Sequence, residues 1–272
     1  MGNCNSCPSK GNCNKQDTCT IENNPNNKIK NIIGVMSGKG GVGKSTVTSL
    51  IAKKLNKEGY KVGILDADIT GPSIPRLMGV QDQRAFSGNG VNIYPVITKD
   101  NIKTMSVNFM VNDESQPVVL KGPMLSNTVQ QFYRDVMWEE LDYLLIDMPP
   151  GTGDVALAVM QSIPLTGMIM VSVPQDMISM IVAKGVNMAR NLNVNILGVV
   201  ENMSYVQCPD CDKKIKLFDG DGTEKFLSEM NLKLLGELPM TREIIEITHK
   251  GVDETSKELD NILSNIVENI SK

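Results

Sequence analysis

The residues best suited to chemistry lie in a glycine-rich run with two lysines, Gly-Lys-Gly-Gly-Val-Gly-Lys-Ser-Thr at positions 38–46. The run fits G-x-x-x-x-G-K-[ST], in which backbone N–H groups cradle phosphates, the lysine meets the β- and γ-phosphates and the hydroxyl holds Mg²⁺. Those roles fall to Lys44 and Ser45, whereas Lys39 is surplus and either faces solvent or makes a second phosphate contact. The predicted nucleotide-binding set is Gly38, Lys39, Gly40, Gly41, Val42, Gly43, Lys44, Ser45 and Thr46.

A second candidate is Asp147, which ends an apolar run and is followed by Met-Pro-Pro-Gly-Thr-Gly-Asp, ending at residue 154. An acidic residue in this position is the usual partner of a phosphate-binding loop, where it holds Mg²⁺ directly or through water. The glycines of the turn let backbone N–H groups approach a γ-phosphate. The turn at 148–154 is therefore a candidate switch that responds to hydrolysis.

Two further carboxylates, Asp66 and Asp68, end the apolar run at 61–65. Alternation along a strand predicts that both side chains point the same way. One could then serve the Mg²⁺ shell while the other positions or deprotonates water. The alternative interpretation is a pair of solvated loop acids.

The pair Cys208 and Cys211 has the C-x₂-C spacing with which two thiolates can bind one metal. Nearby Lys213, Lys214 and Lys216 should favour the thiolate form. Because two sulfurs fill half of a tetrahedral shell, a complete site needs ligands from the N-terminal tail or from a second copy of the chain. A structural Zn²⁺ site and a redox dithiol are the alternatives.

Residues 1–30 differ from the rest of the chain, since they are rich in Asn, Ser, Gly and Lys and nearly lack large apolar side chains. Such a segment cannot bury enough surface to fold alone, so we predict a flexible tail followed by one domain at 31–272, with an insertion carrying the cysteine pair near 202–222. Four thiols in the tail could hold a cluster or Zn²⁺, and an unoccupied tail is the alternative. They are Cys4, Cys7, Cys13 and Cys19.

The elements that must position these groups alternate between short apolar runs and helical periods. This alternation predicts a mostly parallel sheet covered by helices on both faces, a three-layer α/β fold. Ligands of such sheets bind at the carboxyl ends of the strands, where the loop and the three aspartates fall. Strands are predicted at 30–36, 61–65, 103–110, 143–147, 167–173, 195–200 and 232–238, and helices at 45–58, 121–138, 154–163, 176–192, 222–231 and 241–249.

Composition narrows the class of protein. The 272 residues carry a net charge of −4 with a pI near 5.2, which argues against a nucleic-acid partner. The chain shows no apolar leader and no long apolar span, so we expect a soluble cytoplasmic protein with no membrane partner. The amphipathic run at 254–272 could be a membrane helix, but its acidic polar face favours a terminal helix packed on the domain.

Several of these motifs resemble known families. The loop with lysines at 39 and 44 resembles the deviant Walker A loop of the MinD/ParA class of dimeric ATPases. More narrowly, four segments resemble the Mrp family of iron–sulfur cluster carriers, and this likeness extends from residue 31 to about residue 250. The segments are 66–73, 147–154, 173–176 and 201–205.

The resemblance implies a P-loop NTPase fold of the MinD/ParA type and a homodimer. It implies that Lys39 reaches the nucleotide of the partner subunit, that Asp68 activates water and that Asp147 is the Walker B acid. With Lys44, these three residues form the predicted catalytic set. By the same analogy Asn202 contacts the adenine, although the sequence itself places Asn202 only after a strand.

The resemblance also implies that Cys208 and Cys211 of two subunits together hold one bridging iron–sulfur cluster, of the [4Fe–4S] type. In the tail, Cys4, Cys7 and Cys13 resemble the N-terminal ferredoxin-like motif of the eukaryotic cytosolic relatives. Those relatives carry the fourth cysteine upstream of the C-x₂-C pair.

In this chain the fourth tail cysteine, Cys19, comes downstream. The predicted function is an ATPase that binds ATP, Mg²⁺ and iron–sulfur clusters and exchanges clusters with assembly scaffolds and apo-proteins. The alternatives are a positioning or partition ATPase, which needs a basic DNA- or membrane-binding face, and a zinc-stabilised nucleotide-binding scaffold.

Overall fold

The computed structural model describes residues 20–88, 90, 92–111, 122–174, 180–208, 210–211, 213–216, 221–252 and 255–271. Its strands are β1 (Lys28–Ser37), β2 (Val62–Asp66), β3 (Phe86–Ser87), β4 (Ile93–Tyr94), β5 (Val96–Ile97), β6 (Lys103–Met105), β7 (Glu140–Asp147), β8 (Gly167–Ser172), β9 (Ile196–Glu201), β10 (Val206–Gln207), β11 (Lys214–Ile215) and β12 (Leu234–Glu237). Its helices are α1 (Lys44–Lys57), α2 (Ile74–Leu77), α3 (Gly122–Asp135), α4 (Asp154–Ser162), α5 (Met180–Asn191), α6 (Asp221–Glu229), α7 (Arg242–Lys250) and α8 (Lys257–Ile270).

Within the described residues, eight strands pair in the order β12-β9-β8-β1-β7-β2-β6-β5. All neighbours are parallel except β5, which pairs antiparallel with β6 at one edge. Parallel neighbours need crossover helices, which cover both faces of the sheet. The predicted three-layer α/β fold is therefore confirmed, and the carboxyl ends of β1, β2, β7, β8 and β9 lie along one edge.

Each face of the sheet has its own apolar core, as alternation along β1 illustrates. Ile33 and Val35 pack into the core shared with α1, α2, α7 and α8. Ile32 and Met36 point into the core shared with α3, α4, α5 and α6. A strand buried on both faces needs a continuous apolar run, which is why this segment was visible in the sequence.

The sequence predicted a strand at 103–110 that the structure shortens. β6 ends at Met105, and Ser106 caps a single 3₁₀ turn, Val107–Phe109, by accepting a hydrogen bond from the N–H of Asn108 (3.4 Å). Serine favours such local caps over a continuing strand. The short strands β3, β4 and β5 were not predicted, because two-residue strands carry too little alternation to be recognised.

The described chain joins the domain before the predicted boundary at residue 30. The N–H of Ile21 donates to the carbonyl of Ser162 (2.7 Å), and β1 begins at Lys28. Asn27 donates to the carbonyl of Val136 (2.8 Å) and accepts from the N–H of Glu139 (2.7 Å). The four tail cysteines lie outside the described residues.

The last helix, α8, packs on the domain as the sequence favoured. Ser256 caps it by accepting a hydrogen bond from the N–H of Leu259 (3.3 Å), and the apolar stripe from Leu259 to Ile270 is buried. Its apolar face is therefore not available to a bilayer. In the part of the chain that the structure describes, no helix combines the length and apolarity needed to cross a membrane.

Candidate functional site

The loop between β1 and α1 is shaped by glycines in the left-handed region. Gly41 has φ = +83° and Gly43 has φ = +79°, a conformation in which other residues are strained. A Cβ atom at Gly43 would also lie 2.3 Å from the side-chain nitrogen of Asn202, so no larger residue fits there. The N–H of Gly151 donates to the carbonyl of Ser37 (2.8 Å), which ties the turn at 148–154 to the base of the loop.

The predicted phosphate and Mg²⁺ groups meet at Asp147, which is fully buried at the end of β7. Its Oδ2 accepts from Nζ of Lys44 (2.8 Å) and from Oγ of Ser45 (2.5 Å). Its Oδ1 lies 2.8 Å from Oγ1 of Thr48, one turn further along α1. The ammonium of Lys44 is only 6% exposed, so this ion pair is held in a low-dielectric setting.

A cavity of about 310 Å³ opens in front of this cluster. It brings together the loop, the start of α1, the turn after β2 and Pro150 of the predicted switch. Arg76 of α2 also lines it, although no motif in the sequence singles out an arginine in this four-residue helix. The lining residues are Ser37, Gly40, Gly41, Gly43, Lys44, Ser45, Thr46, Asp68, Gly71, Ser73, Arg76, Leu77 and Pro150.

Asp66 and Asp68 occupy different environments, although the charges of Lys44 and Asp147 act on both carboxyls, and the prediction that their side chains point the same way stays a prediction. β2 ends at Asp66, and the N–H of Asp68 turns back to donate to Oδ1 of Asp66 (3.2 Å), so strand alternation does not extend to Asp68. Asp68 lines the cavity, whereas Asp66 is 1% exposed and does not. The alternative of two solvated loop acids is wrong.

Burial is the main cause of the raised pKa values of both carboxyls. It raises the pKa of Asp66 to about 8, with a further contribution from the negative charge of Asp147. Lys44 and a hydrogen bond from Ser106 (3.1 Å) oppose this shift. Burial also raises the pKa of Asp68, and the Lys44 charge again offsets part of the effect.

Asn202 lies behind the loop and is 2% exposed. Its side-chain nitrogen donates to the carbonyl of Val42 (2.9 Å), and its N–H donates to the carbonyl of Ser172 at the end of β8 (2.7 Å). Its Oδ1 is buried and has no donor among the described residues. Asn202 thus connects the end of β9 to the phosphate-binding loop, and a role toward adenine stays a prediction.

The cysteine pair lies on a small hairpin formed by β10 and β11, within the predicted insertion. The N–H of Cys208 donates to the carbonyl of Lys213 (3.1 Å); Cys208 is half-buried and Cys211 is exposed. The backbone N–H of Asp210, followed by the thiol and N–H of Cys211, lowers the pKa of the Cys208 thiol. The thiolate is therefore favoured by local N–H donors.

Two of the three lysines that were expected to favour the thiolate have other partners. Nζ of Lys214 lies 4.3 Å above the ring of Tyr205, and Lys216 forms an ion pair with Glu237 (3.1 Å). In the described part of the chain, no three His, Cys, Asp or Glu side chains form a group that could hold a metal ion. The hairpin of one chain thus offers two thiols.

Known proteins that resemble this chain are consistent with a phosphate-binding loop and a cysteine pair in one domain. A family model described as ParA, NUBPL iron-transfer P-loop NTPase, matches residues 28–272. The iron–sulfur cluster carrier protein of Clostridium perfringens is 47% identical over 269 residues, which cover 93% of this chain and 94% of the relative. The iron–sulfur cluster carrier protein of Methanocaldococcus jannaschii is 44% identical over 283 residues, covering 99% and 97%.

Solved structures show the same fold. A nucleotide-binding protein from Archaeoglobus fulgidus, in complex with ADP, matches 81% of this chain and 86% of its own with a TM-score of 0.72 and 39% identity. The cell-division ATPase MinD of Pyrococcus furiosus matches 89% and 98% with a TM-score of 0.63. At 22% identity the second likeness concerns the fold alone.

Proposed function

The chain belongs to the family of NUBPL iron-transfer P-loop NTPases and is an iron–sulfur cluster carrier, and we propose that it works as an ATP-hydrolysing homodimer. Two chains would bind two molecules of ATP and hold one cluster between their cysteine hairpins. The cluster is cargo, received from an assembly scaffold and passed to an apo-protein. We place this activity in the cytoplasm, where thiols stay reduced.

We propose a dimer because the cysteine hairpin of one chain supplies only part of a cluster site. Cys208 and Cys211 supply two thiols at an exposed tip, and a four-thiolate cluster needs two more. A second copy of the same hairpin supplies them with matched geometry, as a two-fold axis requires.

The tail of the same chain is a poorer source for those thiols. Ile21 is bound at the C-terminal end of α4, and this nine-residue helix runs about 13 Å back from the carboxyl edge of the sheet. The described chain thus joins the domain at the end of α4 that lies away from the carboxyl edge of the sheet, so a second copy of the hairpin is the simpler source of the missing thiols.

At the nucleotide site, this chain's residues bind and orient the triphosphate. The backbone N–H groups of residues 38–44 face the phosphates, and Lys44 offsets the charge that develops on the transferred group. Ser45 and Asp147 place two oxygen ligands 2.5 Å apart, a donor set that suits Mg²⁺. Mg²⁺ bound there would supply further positive charge to the phosphates.

Asp68 would orient the attacking water, and its place in the lining of the same cavity as the loop supports this role. Water attacks the γ-phosphorus, the bond to the β-phosphate oxygen breaks, and ADP, phosphate and a proton leave. Lys39 is exposed on the rim of the loop, and in the dimer it would approach the nucleotide of the partner subunit. The turn at 148–154 would report loss of the γ-phosphate through its hydrogen bond to Ser37.

The test is anaerobic reconstitution with iron and sulfide, followed by metal analysis and mass determination in solution. We expect a brown dimer that contains one cluster per two chains and hydrolyses ATP. A Cys208→Ser, Cys211→Ser variant should be colourless yet bind nucleotide. A colourless wild-type protein, or one that retains only zinc, would contradict the proposal.

A further inference from the structure

The insertion that carries the cysteine hairpin begins and ends at one buried carboxylate, Glu201 at the end of β9, which is 3% exposed. On the entry side, Oγ of Ser204 lies 2.5 Å from Oε2 of Glu201. On the exit side, Oγ1 of Thr223 in α6 donates to Oε1 of the same carboxylate (2.9 Å). Each oxygen of Glu201 thus holds one side of the insertion.

A second carboxylate, Glu237, completes this arrangement. It is the register partner of Glu201 across β9 and β12. Its Oε1 lies 2.8 Å from Oγ of Ser204 and accepts from Nζ of Lys216 (3.1 Å), which directly follows β11. We call these five residues the clamp: Glu201, Ser204, Lys216, Thr223 and Glu237.

The charges within the clamp support each other. The hydrogen bond to Glu237 is the main cause of the raised pKa of Lys216, and the charge of Glu201 adds to it. Burial raises the pKa of Glu237, but the hydrogen bonds from Ser204 and Lys216, together with the charges of Lys216 and Lys214, leave that pKa below its ordinary value. Lys216 therefore stays protonated and joins the hairpin to the sheet.

The clamp is connected to the phosphate-binding loop by two consecutive residues, Glu201 at the end of β9 and Asn202 after it. Glu201 holds the insertion, and Asn202 donates to Val42 within the loop. The side-chain nitrogen of Asn202 also fills the space beside Gly43, so a shift of the loop must displace it. The next residue, Met203, has φ = +55°, and the N–H of Ser204 is bound to the carbonyl of Leu238 (2.9 Å).

We propose that the clamp is a positioning device that transmits the state of the phosphate-binding loop to Cys208 and Cys211. The proposal rests on the proposed function, since it describes how bound nucleotide reaches the cargo site. Movement of the loop displaces Asn202 and with it Glu201, and Glu201 moves both sides of the insertion together. None of the five clamp residues lines the nucleotide cavity.

The experiment follows the two thiols in the full-length protein without a cluster, so that it does not depend on iron binding. The rate at which iodoacetamide alkylates Cys208 and Cys211 is measured by peptide mass spectrometry, with and without Mg²⁺·ATP at saturating concentration. We expect ATP to change this rate at least about threefold in the wild-type protein. Ser204→Ala and Lys216→Met should bring the ratio close to one while ATP affinity stays within about twofold of wild type.

The matched control is Lys213→Met, which removes the same charge from the same hairpin. Only the backbone carbonyl of Lys213 supports the hairpin in the contacts described above, so this variant should keep the wild-type ratio. The proposal is overturned if Ser204→Ala and Lys216→Met, folded and binding ATP, retain the wild-type ratio, or if bound ATP leaves the wild-type rate unchanged. Failure of the proposed function would instead appear as absence of iron after reconstitution, whatever the alkylation ratios.

Discussion

The phosphate-binding loop and the cysteine hairpin lie near the same edge of the sheet but are built in opposite ways. At the loop, Lys44, Ser45 and Asp147 are bonded to one another, and Asp147 is fully buried. At the hairpin, Cys208 and an exposed Cys211 lie between two strands of only two residues each. The first site is pre-organised by one chain, whereas the second presents its ligands outward.

The difference indicates what each site must do. A site that stabilises charge during phosphoryl transfer gains from rigid groups that need no reorganisation. A site that gives up its cargo gains from exposure, since the thiolates of a recipient must reach the metal. The hairpin is therefore fixed at its base, by the clamp, and open at its tip.

The largest expected effect is loss of the cluster while ATP hydrolysis is unchanged. Cys208→Ser should abolish cluster binding, because a dimer then retains only two thiolates, while ATP hydrolysis stays near the wild-type rate. Iron and sulfide analysis beside phosphate release measures both. A variant with Ser at positions 4, 7, 13 and 19 is the control and should keep the bridging cluster, and loss of that cluster would place its ligands in the tail.

The reciprocal change is Lys44→Met, which removes the ammonium from the loop. We expect ATP hydrolysis to fall by about 10² or more, the scale seen when one pre-organised charge-stabilising group is lost. Cluster content should be unchanged. Lys57→Met, at the far end of α1, is the matched control, and a similar loss of hydrolysis in that variant would show that the effect comes from the helix as a whole.

A smaller effect is expected at Lys39, which in the proposed dimer contacts the nucleotide of the partner subunit. Lys39→Ala should lower ATP hydrolysis by about tenfold and leave ATP affinity within about twofold, because the proposed contact is made to the partner's nucleotide. Steady-state rates and equilibrium binding distinguish these quantities. Lys39→Arg should restore part of the rate, and a parallel loss of affinity in Lys39→Ala would assign the lysine to its own subunit's nucleotide.

The smallest effect concerns stability, at Asp66 behind the nucleotide site. Because folding raises its pKa to about 8, the folded protein holds a proton that the unfolded chain releases above its ordinary pKa near 4. The free energy of unfolding should therefore fall as pH rises, by roughly 1 kcal/mol between about pH 7 and pH 9.

Asp66→Asn lacks this titration, so its stability should exceed that of the wild type by a margin that grows with pH. Denaturant unfolding in EDTA without nucleotide measures it. Asp82→Asn, in an exposed turn, is the control. An equal pH dependence in wild type and Asp66→Asn would show that Asp66 is ionised in the folded protein.

The sequence predicted the parts of the site that follow from local pattern. Strands buried on both faces carry continuous apolar runs, so Asp147 could be placed at a strand end. Glycines with positive φ, such as Gly43, are part of the loop motif itself. These features depend on residues close together in the chain, which a pattern can register.

The parts that were missed depend on contacts between distant segments. Ser106 reaches Asp66 across 40 positions, and Thr223 reaches Glu201 only because α6 returns to β9. Lysines close to Cys208 in sequence suggested an electrostatic cause for its lowered pKa, but Lys216 turns toward Glu237 instead. Proximity along the chain did not predict proximity of charge.

The clamp also makes the hairpin a separable module. Ser204 and Lys216 contact the same oxygen of Glu237, so their side-chain tips lie within about 6 Å of each other, and just inside them Val206 pairs with Ile215 across the hairpin. A segment whose ends meet can be exchanged without altering the sheet that carries it. We therefore expect that residues 206–215 can be exchanged for a segment of different metal preference while the nucleotide site stays intact.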